Sequence, residues 1–225
     1  MLLRMTVFLL YLVYCAGIEW AAAIVGRRYR RASWQDAYKW LVILCWVTAI
    51  FETACDGCHF LGIRYTSAYN VWAYFETGGI ICIQLRLLTH RWAKRLLTAM
   101  FIILTVGAAI NYVWGPPLAG SNMPFLLFTI FIQMIATSVA LIDVLGNTSD
   151  KPLSAQPAFW LNAGMLFYGS VFILIYIAQL FSRSFKHFGW YFIACSMIAN
   201  TFMYGGFIAC FITLRRQDRK KIFDL

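Results

Sequence analysis

The residues best equipped for chemistry are gathered in one stretch, positions 51–76, FETACDGCHFLGIRYTSAYNVWAYFE. Within it Glu52, Cys55, Asp56 and His59 stand at i, i+3, i+4 and i+7, which on a helix is a single stripe. Carboxylates, a thiol and an imidazole on one face are able to relay protons or to hold a divalent metal. Cys55-Asp-Gly-Cys58-His59 also reads C-x-x-C-H, the attachment motif of c-type haem, in which the two thiols bond the vinyl groups and His59 ligates iron. His187 or Met123 would then be the second axial ligand. A plainer reading is equally open: the same side chains hydrogen-bond to neighbouring helices and orient a bundle.

What surrounds this stretch is the chemistry of a membrane. Of the 225 residues, 62% are hydrophobic and 12% charged, with a mean hydropathy of +0.70. A soluble domain carries about twice that share of charge. The formal net charge of +10 does not indicate nucleic acid, because Lys and Arg fall in short clusters between apolar runs and no extended basic face is left over. Five of the seven cysteines (Cys15, Cys45, Cys82, Cys195 and Cys210) lie in apolar runs and read as small hydrophobes.

A membrane-crossing helix needs about 20 mostly apolar residues. Reading in order gives seven, over about 5–25, 38–59, 69–88, 96–114, 125–145, 158–181 and 190–214. The predicted fold is therefore all-α: a single seven-helix transmembrane domain over 1–225. The first span runs past the length of a signal peptide, contains Glu19 and ends in GRRYRR, so it reads as a retained helix. With the C-terminus cytoplasmic, fifteen Lys and Arg fall inside and four (Arg4, Arg64, Arg183 and Lys186) outside. That asymmetry orients the chain with its N-terminus outside, as a multi-pass protein of the plasma (inner) membrane.

Three acidic residues are set deep in spans: Glu19, Glu52 and Glu76. A charge at the centre of a membrane helix costs roughly 2.5–3.5 kcal/mol on insertion scales, so such a residue is a functional candidate from the outset. Counting ~1.5 Å per residue, Glu52 and Glu76 come out in the outer half at similar depth, with Gln133 and Asn200 near that level. An acidic pocket open to the outside, with Glu52, Glu76, Asp56, Gln133 and Asn200 as its proton- or ligand-binding groups, follows as an expectation. Glu19 falls in the inner half, apart from it, and Asp143 close enough to the cytoplasmic end to be solvated.

No catalytic set is evident. The last span has no lysine for a retinal Schiff base, no H-E-x-x-H is present, and no Ser, His and Asp share a plausible depth. All five prolines fall in loops or at helix starts, without the broken helices that transporters often use.

In span pattern the chain resembles a family of seven-helix integral membrane proteins of about this length found in Bacteroidota. The likeness is carried by Glu52, by Asn70 and Glu76 in the third span, and by Phe159-Trp160-Leu161-Asn162 with Tyr168 in the sixth. It implies a seven-helix bundle and an association with separate signalling proteins such as sensor kinases. Cys55, Cys58 and His59 are not part of the pattern. The reading that follows is a non-enzymatic sensor or adaptor, signalling from its pocket to a cytoplasmic protein docked on the basic loops and tail. The alternatives are a redox protein carrying haem c and a small proton-coupled transporter.

Overall fold

The computed structural model describes residues 2–31, 34–64, 66–114, 122–147, 152–181 and 188–223. Seven helices account for nearly all of them: α1 (Leu2–Tyr29), α2 (Asp36–Phe60), α3 (Thr66–Leu87), α4 (Arg91–Trp114), α5 (Met123–Gly146), α6 (Pro157–Phe181) and α7 (Phe188–Phe223), with one 3₁₀ turn at Leu153–Ala155. Local signals set several ends. Asn122 caps α5 by accepting from the Phe125 N–H at 3.2 Å, with Pro124 in the first turn, where its missing N–H does no harm. The chain leaves α2 through Gly62, whose φ of +70° suits a residue without a Cβ.

Six of the seven helices contain a stretch long and apolar enough to cross a membrane, so this is a multi-pass membrane protein. The one that falls short is α3, which carries more polar residues along its length. Its polar residues Asn70, Thr77 and Gln84 are buried, turned into the bundle rather than toward lipid. Large apolar side chains such as Leu10, Val13, Ile50, Ile102 and Leu174 cover the outside instead.

The helices do not pack simply in chain order. Contacts run α1–α2–α3–α5–α6–α7 and back to α1, a closed ring of six, and α4 lies outside it against α3 and α5. Neighbours in the ring are antiparallel except where α4 has been skipped and where the ring closes. Thus α7 runs parallel to α1, with Tyr14 bonded to Thr201 at 2.5 Å and Arg215 over the Tyr29 ring at 4.3 Å. In lipid, apolar burial gives helices no reason to associate, and close packing supplies it instead. The tightest crossing is α6 on α7: a Cβ on Gly164 would stand 2.7 Å from the Phe202 carbonyl oxygen, and one on Gly206 would stand 2.7 Å from that of Trp160.

At the end of the bundle where α1 and α3 finish, the loops are tied to α7. Trp34, from the α1–α2 connection, stacks on Phe211 and donates to Asp218 at 2.8 Å, and Gln217 donates to the Ala155 carbonyl at 2.8 Å. Asp143 corrects the expectation of a solvated residue, being only 2% exposed. Its carboxylate accepts from the backbone N–H groups of Thr89 and His90, both at 3.0 Å, and from His90 Nδ1 at 2.7 Å. Since a carboxylate only accepts, Nδ1 carries the hydrogen. A side chain of α5 thus caps the start of α4, where the helix dipole favours negative charge. Asp143→Ala, which leaves these donors unpaired, is expected to cost about 2–4 kcal/mol, read as a lowered melting temperature and loosened α4 in hydrogen exchange.

Candidate functional site

The six-helix ring encloses a cavity of about 550 Å³, and every helix of the ring contributes to its wall. Glu19 and Cys15 come from α1, Glu52, Cys55 and Asp56 from α2, and Asn70 and Glu76 from α3. Met123 comes from α5, Tyr168 and Tyr176 from α6, and Asn200 and Tyr204 from α7. The lining reaches from Thr66 and Met123, at the starts of α3 and α5, down to Glu19 and Tyr204 near mid-bundle. No residue of α4 takes part, in keeping with its place outside the ring.

Helical geometry explains how α2 delivers its acids. Glu52 and Asp56 are one turn apart on one face, with Cys55 between them, and the whole face turns to the ring axis. The stacking of Phe51 on Trp72, at 4.7 Å between ring centres, fixes the register of α2 against α3. With Leu44 lying against Gly79, the same register places Glu76 about five residues, or about 7 Å, deeper than Glu52. The two glutamates therefore share a cavity but not a level, and the expectation of similar depth is corrected. The helices are staggered by their packing, which residue counting from the ends does not see.

Two further placements differ from the sequence reading. Glu19 is part of this cavity rather than apart from it. Gln133 is not on the wall: it is buried, accepting from Thr77 at 3.5 Å and donating toward the Met165 sulfur at 3.9 Å. Deeper still, Gln84 donates to Thr137 at 3.1 Å and to Asn162 at 2.9 Å, knitting α3, α5 and α6 into a polar floor. The Gln133 amide is engaged at both its oxygen and its nitrogen, whereas Gln84 uses its nitrogen and leaves a buried Oε1 without a partner.

The electrostatics of the cavity are one-sided. Four carboxylates face it, and among the described residues of its wall there is no Lys, Arg or His. Glu19 is 5% exposed and its Oε2 has no hydrogen-bond partner. Neither Glu52 nor Glu76 forms a hydrogen bond or ion pair with any described residue. Asn200 is held at the wall by its contact with the Cys15 sulfur, 3.6 Å away.

The C-x-x-C-H residues sit in the last two turns of α2 with different exposure. Cys55 is buried at the cavity, Cys58 is half-buried, and His59 is exposed in the last turn of α2. Met123 lies across the cavity on α5, and His187 is outside the described residues. Among the described residues no three His, Cys, Asp or Glu stand close enough to hold a metal ion, and the cysteines are free thiols. Among the described residues, the donors proposed for haem c or a divalent metal are not brought to one point.

What the sequence reading missed is aromatic. Tyr11, Tyr69, Tyr168, Tyr176 and Tyr204 all line the cavity. Tyr168, Phe172 and Tyr176 stand at i, i+4 and i+8 on α6, a stripe that ordinarily signals packing. Only the hydroxyls, unusual in a lipid-facing or core stripe, hinted at a polar lumen.

No protein-family model, curated protein or solved structure matches the chain, and the family suggested by its span pattern is not identified; what stands is a multi-pass membrane protein of seven helices, six of them long and apolar enough to cross a bilayer.

Proposed function

We propose that the protein is a non-enzymatic membrane receptor that takes a ligand into the axial cavity from the outer side and passes a helix shift to a cytoplasmic partner. The single observation that carries this reading is a cavity walled by all six ring helices and lined by four acids, with no Lys, Arg or His among the described residues of its wall. A ligand bridging these walls touches every ring helix at once, so filling the cavity must bias their relative positions. Helix α7 supplies a route to the other side. It contributes Asn200 and Tyr204 to the cavity, and its inner end holds Trp34 and the α5–α6 connection. The span-pattern likeness to seven-helix proteins of Bacteroidota agrees with a sensor that works through a separate signalling protein.

Cys55 provides the test, since it is a free thiol that lines the cavity. In a variant keeping Cys55 as its only cysteine, a membrane-impermeant thiol reagent applied to the outer face of right-side-out vesicles is expected to modify it. Hydrogen exchange around Trp34 and the inner end of α7 is expected to change when the cavity is filled in this way. Failure to react from outside sinks the outward-facing cavity. Reaction without any change at the inner end removes the signalling step, and leaves a carrier using the same acids, for which uptake into proteoliposomes is the measurement.

A further inference from the structure

We infer that the ligand of the axial cavity is a small organic cation, an ammonium compound held by Glu19, Glu52 and Glu76 against the tyrosine rings. This rests on the receptor reading of the cavity and adds the chemical class of what it takes. Three observations converge.

The first is a set of acids with no basic side chain set against them on the described wall. Glu19 is only 5% exposed, lines the cavity, and has a buried Oε2 with no hydrogen-bond partner. Glu52 and Glu76 face the same space with no described hydrogen-bond or ion-pair partner, and no basic side chain among the described residues of the wall offsets them. A buried anionic group is tolerated when it is paired. The protein supplies acceptors on every side and leaves the cation to come from elsewhere.

The second is size. At about 550 Å³ the cavity is in the range that houses small organic molecules. A bare metal ion needs several ligands drawn together at bonding distance, and no three acidic, cysteine or histidine side chains among the described residues converge in that way. The acids are spread over three helices, the arrangement suited to a cation of some bulk.

The third is the aromatic wall. Tyr168, Tyr176 and Tyr204 stand on the side contributed by α6 and α7, facing the acids of α1, α2 and α3. The face of an aromatic ring carries a negative quadrupole and attracts ammonium groups, most strongly those whose alkyl substituents make them poorly hydrated. Carboxylates and phenol rings around one space, Tyr11 and Tyr69 beside the acids and the other three across from them, fit a charged head with an apolar skin. They do not fit an anion.

The test uses the variant that retains only Cys55, in lipid nanodiscs, with neutral N-ethylmaleimide as the modifying reagent. Choline is the probe, and 3,3-dimethylbutan-1-ol is its uncharged counterpart of the same shape. Choline is expected to slow modification of Cys55 at least tenfold in a saturable manner, while the alcohol and sodium chloride at the same concentrations do not. Glu19→Gln is expected to raise the half-protecting choline concentration at least tenfold, and Glu52→Gln is measured beside it in case Glu19→Gln fails to give a monodisperse protein. Equal protection by the alcohol means that shape and not charge is recognised, and overturns the inference. So does equal protection by sodium ion, which assigns the acids to an inorganic cation, and so does no protection by any of the three. Each of these outcomes leaves the outward-facing cavity standing, whereas a Cys55 that never reacts from outside removes that cavity itself.

Discussion

The Glu52→Gln, Glu76→Gln double variant is expected to insert and fold as well as the wild type, to melt at a higher temperature, and to lose at least a hundredfold in affinity for choline. The three effects have one cause. Glu52, Glu76, Glu19 and Asp56 face a common space with no basic group among the described residues of its wall. Carboxylates that share a low-dielectric cavity repel one another, and each ionised group carries an insertion cost of roughly 2.5–3.5 kcal/mol on transfer scales. Glutamine keeps the shape and removes both terms. If the substitutions recover even ~1 kcal/mol, the melting temperature of a chain this long rises by about 2–4 °C. A gain in stability with a loss of binding is the signature of a site kept at the expense of the fold. A structural role predicts the reverse: were the two glutamates holding neighbouring helices together, the double variant would melt lower. Thermal unfolding followed by gel filtration, together with choline protection of Cys55, separates the two.

Gly206→Leu is expected to cost about 3 kcal/mol or more, the upper range for overpacking, and to leave little monodisperse protein. A first side-chain carbon there already stands 2.7 Å from the Trp160 carbonyl oxygen and 3.1 Å from the Gly164 Cα. Both are backbone atoms of α6, so no rotamer change relieves the clash. The helices must separate, and they are adjacent walls of the cavity. Gly205→Ala is the control, since a Cβ at that position meets nothing within 4 Å. It is expected to behave as the wild type in gel filtration and heat stability. Equal damage at both positions would mean that the glycine pair serves helix flexibility rather than close approach, contrary to the packing described here.

Much of the fold was legible before any coordinates. Apolar runs of about 20 residues can be satisfied only as helices in a bilayer, and that constraint acts on each segment by itself. Six of the seven runs coincide with helices meeting the criterion, and α3 shows why the seventh is weaker, since Asn70, Thr77 and Gln84 are turned inward. Glu52, Asp56 and Cys55 could be placed on one face because i, i+3 and i+4 spacing is a property of a single helix. Glu19 was separated from them only because counting from helix ends ignores stagger and tilt. Gln133 was assigned to the pocket on depth alone, although depth does not say which way a side chain faces. Asp143 was read as solvated for the same reason, when it caps α4 from a neighbouring helix.

By itself, then, the chain determined that it crosses a membrane several times and that acids sit inside those crossings, because hydropathy and helical period are local quantities. Only the tertiary structure decided that α4 steps out of the ring, that α1 closes it against α7, and that four acids and five tyrosines from different helices share one cavity. Which helix neighbours which depends on contacts between distant residues, such as the Gly164–Gly206 crossing and the Phe51–Trp72 stack. No pattern within a single span encodes them.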